Sequence, residues 1–148
     1  MQSREPVVMA VYEKLGGRNM LGAEVASAAD LARVVSRRIP LRALAHVQRR
    51  GLFTDGEIQR FIIPARTRRH REAKKERLTV EESDRLVRMA RVQALAEDVF
   101  GDPERANRWL REPLGELSST APLDWARTEA GARLVEEILA KIDWGAAA

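Results

Sequence analysis

Apolar positions recur every three or four residues along most of the chain, and each run is bounded by a capping residue, a glycine or a proline. That spacing predicts a succession of helices. The first run places Val7, Val8, Val11 and Leu15 together and stops at Gly16-Gly17, although its β-branched content also suits a strand. Ser27, with Asp30 three residues on, resembles a capping box opening a helix with Leu31, Val34 and Val35 on one face. Pro40 suits the first turn of the next helix, Pro40 to Arg50, whose Leu41, Leu44, Ala45 and Gln48 share a side and which stops at Gly51. Thr54 and Glu57 have capping-box spacing and start a helix of about two turns burying Ile58, Phe61 and Ile62. Pro64 forbids its continuation, and a new helix, Ala65 to Lys75, follows after a turn of helix-turn-helix length.

The second half repeats the grammar with longer elements. Thr79-Val80-Glu81-Glu82 is a capping box, and the helix it opens reaches Phe100 with Leu86, Met89, Val92, Ala96, Val99 and Phe100 on one stripe before Gly101. Asp102-Pro103 pairs an N-cap with proline at the first helical position, and Ala106, Trp109 and Leu110 point inward until Pro113. Residues 114–124 read as a loop, rich in Gly, Ser, Thr and Pro. Thr128 caps a last helix with Val135, Ile138, Leu139 and Ile142 on one face and a stop at Gly145, leaving Ala146 to Ala148 as a mobile tail that a partner would order. The predicted fold class is all-α, in two lobes joined near Arg77 and Leu78.

Charge separates the lobes. Pro64 to Arg77 holds seven Lys/Arg against two Asp/Glu, a local +5 in a chain of net +4. Residues 1–77 carry 17 basic and 8 acidic side chains, net +9, whereas residues 78–148 carry 9 and 14, net −5. A polyanion is drawn to the first half and repelled by the second, so a nucleic-acid surface belongs before Leu78. A solvated charged helix would show the same excess; the tight helix pair favours DNA. In that geometry the first helix crosses the backbone and the N-terminal side chains of the second enter the major groove. Arg66, Thr67, Arg69 and His70 sit at that end, with Arg able to pair bidentately with guanine, while Lys74, Lys75 and Arg77 suit phosphates.

Composition narrows the remaining chemistry. The 148 residues include no cysteine, which removes disulfides, thiolate metal sites and a Cys nucleophile and points to a reducing, cytoplasmic setting. No apolar run approaches the ~20 residues of a membrane span, and M-Q-S-R-E-P lacks the h-region of a signal peptide. Nucleophile-elbow, Walker and H-E-x-x-H motifs are absent, and His46 and His70 fall on different helices, so the reading is of no catalytic residue, no metal and no cofactor. Glu81, Glu82 and Asp84 are acids of a first helical turn, where they meet the helix dipole. Trp109 reads as core; Trp144, at the end of the last helix, reads as an interface anchor.

At this point three blocks become recognisable: L-T-V-E-E-S-D-R-L-V-R-M-A-R-V from Leu78, A-E-D-V-F-G-D-P-E-R-A-N-R-W-L from Ala96, and A-P-L-D-W-A-R-T-E-A-G-A-R-L-V-E-E-I-L-A-K-I-D-W-G from Ala121. They closely resemble the toxin-binding domain of the Xre/MbcA/ParS antitoxins over Leu78 to Gly145. Leu15 to Gly17 and I-I-P-A-R-T at Ile62 to Thr67 look like the Xre-type helix-turn-helix domain that precedes it. The resemblance implies a DNA-binding domain over 1–77 and a toxin-binding domain over 78–148. It implies an antitoxin that neutralises a cognate RES-domain toxin, an NAD-degrading enzyme, and represses its own operon by binding promoter DNA. It also implies a bacterial cytoplasmic protein, nucleoid-associated when on its operator. The DNA-contacting set it suggests is Arg66, Thr67, Arg68, Arg69, His70, Arg71, Lys74 and Lys75. The toxin-contacting set is Trp125, Lys141, Ile142, Asp143, Trp144 and Gly145, the last five reaching the toxin's active-site cleft. Where the family tends to place an apolar residue after R-T, this chain has Arg68, a gap that Arg71 and the stems of Arg68 and Arg69 cover by snorkelling. One recognition helix reads few base pairs, so a homodimer is expected, with two helices about 34 Å apart. The rival reading is a stand-alone dimeric regulator whose second lobe dimerises or senses a small molecule.

Overall fold

The computed structural model describes residues 5–147. In chain order the helices are α1 (Glu5–Lys14), α2 (Gly17–Leu21), α3 (Ala28–Ser36), α4 (Arg42–Arg49), α5 (Asp55–Phe61), α6 (Ala65–Lys74), α7 (Val80–Phe100), α8 (Pro103–Arg111), α9 (Pro122–Trp125) and α10 (Glu129–Ala147). A 3₁₀ turn covers Gly115–Leu117, and the extended pairing among the described residues is an isolated antiparallel bridge between Leu114 and Thr120. The fold is all-α. It packs as two compact units, one reaching Val87 and the other starting at Arg88, so the division falls within α7.

The first unit buries Val11, Leu15, Val34, Ile39, Leu44, Val47, Phe53, Ile58, Ile63, Leu78 and Leu86. Local chemistry sets the helix starts. Ser27 Oγ accepts from Asp30 N at 3.2 Å, and Thr54 closes a full capping box with Glu57. Gly16, at φ +100°, is where the chain leaves α1 for the short α2, a helix the sequence pattern did not predict. The faces of α4 also differ from expectation. Its first residue is Arg42, and Ala43, Leu44 and Val47 are the buried ones, while Gln48 is exposed because its amide serves α6.

Long-range polar contacts complete this unit. Ser83 Oγ, fully buried, accepts from Ile39 N at 2.9 Å, and Leu78 N donates to Ile39 O at 3.0 Å. Arg38 donates to the carbonyls of Leu78 (2.8 Å) and Arg77 (3.0 Å), and Arg77 Nη1 returns a bond to Arg38 O at 3.0 Å. The backbone carbonyls of Arg38, Ile39, Arg77 and Leu78, which follow the ends of α3 and α6, are satisfied in this way.

The second unit centres on Met89, Val92, Ala96, Ala106, Leu110, Leu117, Leu123, Ala132, Val135 and Leu139. Trp109 is half-buried, its ring 5.6 Å from that of Phe100. A charged strap joins α7 to α10: Arg88 Nε and Arg91 Nη2 donate to Glu129 at 3.1 and 3.0 Å, and Arg91 Nε donates to Glu136 at 2.7 Å. Burial raises the Glu129 carboxyl, but the Arg91 charge and the hydrogen bonds from Arg88 and Arg91 outweigh it and leave the group below its ordinary value. The segment expected to be loop instead holds the 3₁₀ turn and α9, with Trp125 Nε1 donating to Leu117 O at 3.1 Å. The expected stop at Gly145 is also absent. Gly145 keeps the helical φ of its neighbours instead of the positive φ of a C-cap glycine, so α10 continues to Ala147; Ala148 lies outside the described residues.

Candidate functional site

Two surfaces carry the residues that the sequence singles out. The first is α6, packed after α5 through a three-residue turn. Ile62 and Ile63 are buried there, and Arg85 donates twice to Ile62 O, at 3.1 and 2.9 Å, which fixes the turn from α7. Pro64, extended at ψ 146°, is the N-cap, and the first amides of α6 have no side-chain cap. No residue of α6 is buried.

The basic residues of α6 divide by face. Arg66, Arg69 and His70 are exposed on one stripe at helical spacing, and their side chains make no hydrogen bond or ion pair among the described residues. Lys74 is exposed in the last turn, and Lys75 is exposed in the left-handed C-cap position, φ 56°. Thr67 is half-buried. Arg68 and Arg71 turn the other way, with side chains 16% and 15% exposed. Arg68 binds Glu72 at 3.1 Å and Gln48 Oε1 at 3.3 Å; Arg71 Nη1 pairs with Glu82. Arg68 keeps its charged head on the exposed Glu72 and on Gln48, Arg71 carries its head inward to buried Glu82 instead of snorkelling, and Arg69 projects outward. Of the residues the sequence singles out on this helix and its C-cap, Arg66, Arg69, His70, Lys74 and Lys75 are the exposed ones. Arg77 is engaged with Arg38.

The second surface is the last two turns of α10. Trp144 is 80% exposed, Lys141, Asp143 and Gly145 are exposed, and Ile142 is half-buried. Leu134, two turns earlier, is 36% exposed. An indole in water at the end of an amphipathic helix is an apolar area left uncovered by the described residues. Trp125 does not share that surface chemistry. It is half-buried with its N–H already committed to Leu117 O.

Among the described residues no cluster of three or more His, Asp or Glu is placed to hold a metal, and no helix is long and apolar enough to cross a membrane.

Comparison with known proteins adds the following. Residues 30–91 match the antitoxin Xre-like helix-turn-helix domain, and residues 95–145 match the antitoxin Xre/MbcA/ParS C-terminal toxin-binding domain. The chain is similar to an antitoxin Xre of Pseudomonas putida, 41% identical over 102 residues, covering 69% of this chain and 64% of the relative. It therefore spans just under two thirds of that relative's length. An antitoxin Xre of Photorhabdus laumondii is 29% identical over 127 residues, covering 84% of this chain and 86% of the relative. A Prs ADP-ribosylating antitoxin of a Sphingobium species is 28% identical over 129 residues, covering 81% and 74%.

Proposed function

Because the chain belongs to the Xre/MbcA/ParS antitoxins, with their helix-turn-helix and toxin-binding domains in that order, we propose that it is the antitoxin of a type II toxin–antitoxin pair that also represses its own operon. Its partner is a RES-domain toxin that degrades NAD, and its second ligand is promoter DNA. The observation that carries the DNA half is α6, where the guanidinium groups of Arg66 and Arg69, with His70 beside them, form an exposed stripe that has no partner among the described residues, on a helix with no buried residue. Base edges are read by Arg66 and Arg69, and phosphates are met by Lys74 and Lys75. Two such helices, supplied by a homodimer, would occupy successive major-groove faces.

The toxin half is supported by Trp144, whose 80% exposure at the end of α10 gives an anchor for a partner's cleft. A cleft that accepts NAD is lined with cations and polar donors, and the net −5 of residues 78–148 complements it. Inhibition is steric: Lys141 to Gly145 enter the cleft and exclude substrate, with no chemistry done on NAD. Co-expression with the adjacent gene's product tests this. Wild type restores growth and NAD, and a chain ending at Ile142 does not; equal rescue by the shortened chain would refute occlusion.

The Sphingobium relative is named a Prs ADP-ribosylating antitoxin, and from the chemistry in that name we take as a second reading of the partner a toxin that transfers ADP-ribose. ADP-ribosyl transfer also consumes NAD, so the same cleft argument applies. Modified protein in poisoned cells, rather than free NAD breakdown products, would identify it.

A further inference from the structure

The helix proposed to read DNA has no apolar anchor, so something polar must hold it at one angle. α6 turns Arg68 and Arg71 inward, and the acceptors that meet them are Glu72 on α6 itself, Gln48 at the end of α4 and Glu82 at the start of α7. Of these, Glu82 is the one that is both charged and buried, at 6% exposure. It is fixed independently of α6: its Oε1 accepts from Thr79 N at 2.8 Å, and its own amide donates to Thr79 Oγ1 at 3.1 Å, which closes the capping box of α7. One carboxylate thus closes the box that starts α7 and binds the guanidinium of Arg71, in the last turn of α6.

We infer that Glu82 is a positioning residue for DNA recognition, holding α6 through Arg71, and that Arg71 is a seat cation rather than a phosphate contact. This rests on the reading of α6 as the DNA-contacting helix. The Arg71 side chain is 15% exposed and its Nη1 is paired to a buried carboxylate, which leaves it little surface from which to release counterions from DNA. Removing either partner leaves the other charge desolvated and unmatched, so each single change loosens the helix. Exchanging the two charges keeps the pair. A Glu placed at a phosphate contact would instead repel DNA, so rescue by exchange separates the two roles.

The test uses the full chain and a duplex from upstream of its own gene. Affinity is measured across ionic strength for wild type, Glu82→Gln, Arg71→Gln and the exchange Arg71→Glu with Glu82→Arg, with amide hydrogen exchange followed across 66–74. Gln at 82 still offers an oxygen to Thr79 N, so α7 keeps its cap. The expected result is roughly tenfold weaker binding in both single variants, the effect of one charge-assisted hydrogen bond. The salt slope stays as in wild type, α6 amides exchange faster, and the exchange variant, which keeps the pair but gives up the acceptor for Thr79 N, binds better than either single variant without reaching wild type. A slope lowered by about one for Arg71→Gln, with Glu82→Gln unchanged in affinity, would make Arg71 a phosphate contact and overturn the inference. If wild type binds no upstream duplex, the DNA reading fails on its own and hydrogen exchange still decides the pair. Faster exchange in α6 upholds the seat, and unchanged exchange refutes it.

Discussion

Replacing Gly131 by alanine sets two effects against each other with opposite signs. Gly131 lies in the first turn of α10, where alanine is favoured over glycine by about 1 kcal/mol on propensity alone. The surroundings reverse that sign. A Cβ at Gly131 would sit 1.8 Å from the carbonyl oxygen of Trp125 and 2.8 Å from its carbon, both backbone atoms that cannot rotate away. It would also press at 3.1 Å on Thr128 Oγ1, the hydroxyl that caps the helix by accepting from Gly131 N at 3.0 Å. Relief requires moving the end of α9 off the start of α10. Overpacking of this kind costs about 1–3 kcal/mol and a strained N-cap about 1 kcal/mol more. Subtracting the propensity gain leaves about 1–3 kcal/mol of net destabilisation. At about 2–4 °C per kcal/mol for a chain of this size, the melting temperature should fall by roughly 2–12 °C. Thermal unfolding followed by circular dichroism, with urea unfolding as a check on two-state behaviour, measures it. An unchanged or raised Tm would mean that propensity wins and that the α9–α10 contact is looser than described.

Other consequences follow from single residues. Ser83→Ala removes the acceptor of Ile39 N in a fully buried site, and should cost about 1–3 kcal/mol in urea unfolding, against a few tenths if water replaces the hydroxyl. Glu129 is held below its ordinary value near 4.5, so its contribution is fully present above that value and is lost as pH falls through the depressed folded value. Glu129→Gln should therefore lower Tm at pH 7 and flatten its decline in acid; parallel curves for both proteins would contradict the strap. Trp144→Ala should leave Tm unchanged, because the indole is 80% exposed, yet weaken rescue of toxin-expressing cells; full rescue would remove Trp144 from the interface.

Much of this architecture is legible in the chain because helix starts are local events. Ser27, Thr54, Thr79 and Asp102 each cap within two or three residues, so their chemistry is visible in a short window. The division of α6 into outward and inward arginines is not local. Arg71 meets a carboxylate eleven residues on, and Arg68 meets an amide twenty residues back, and no period in the sequence encodes such pairs. The same contact explains the misread face of α4, since Gln48 lies beside α6 rather than in the core. The short α2 and α9 escape a reading based on apolar stripes because helices of five and four residues are too brief to show a period. Charge changes sign near Leu78, yet Leu78, Leu86 and Val87 pack with the first unit. Composition follows what each surface meets outside the chain, and packing follows apolar contact, so the two boundaries need not coincide.

The account turns most directly on whether α6 reads DNA. Binding of the full chain to the duplex upstream of its own gene, titrated across ionic strength beside a random duplex, decides it. The account predicts a specific complex weakened by ~1–3 kcal/mol in Arg66→Ala and Arg69→Ala, with little change on random DNA, and a lower salt slope in Lys75→Ala. Absence of any complex at low salt, or equal losses on both duplexes for all three variants, would contradict it.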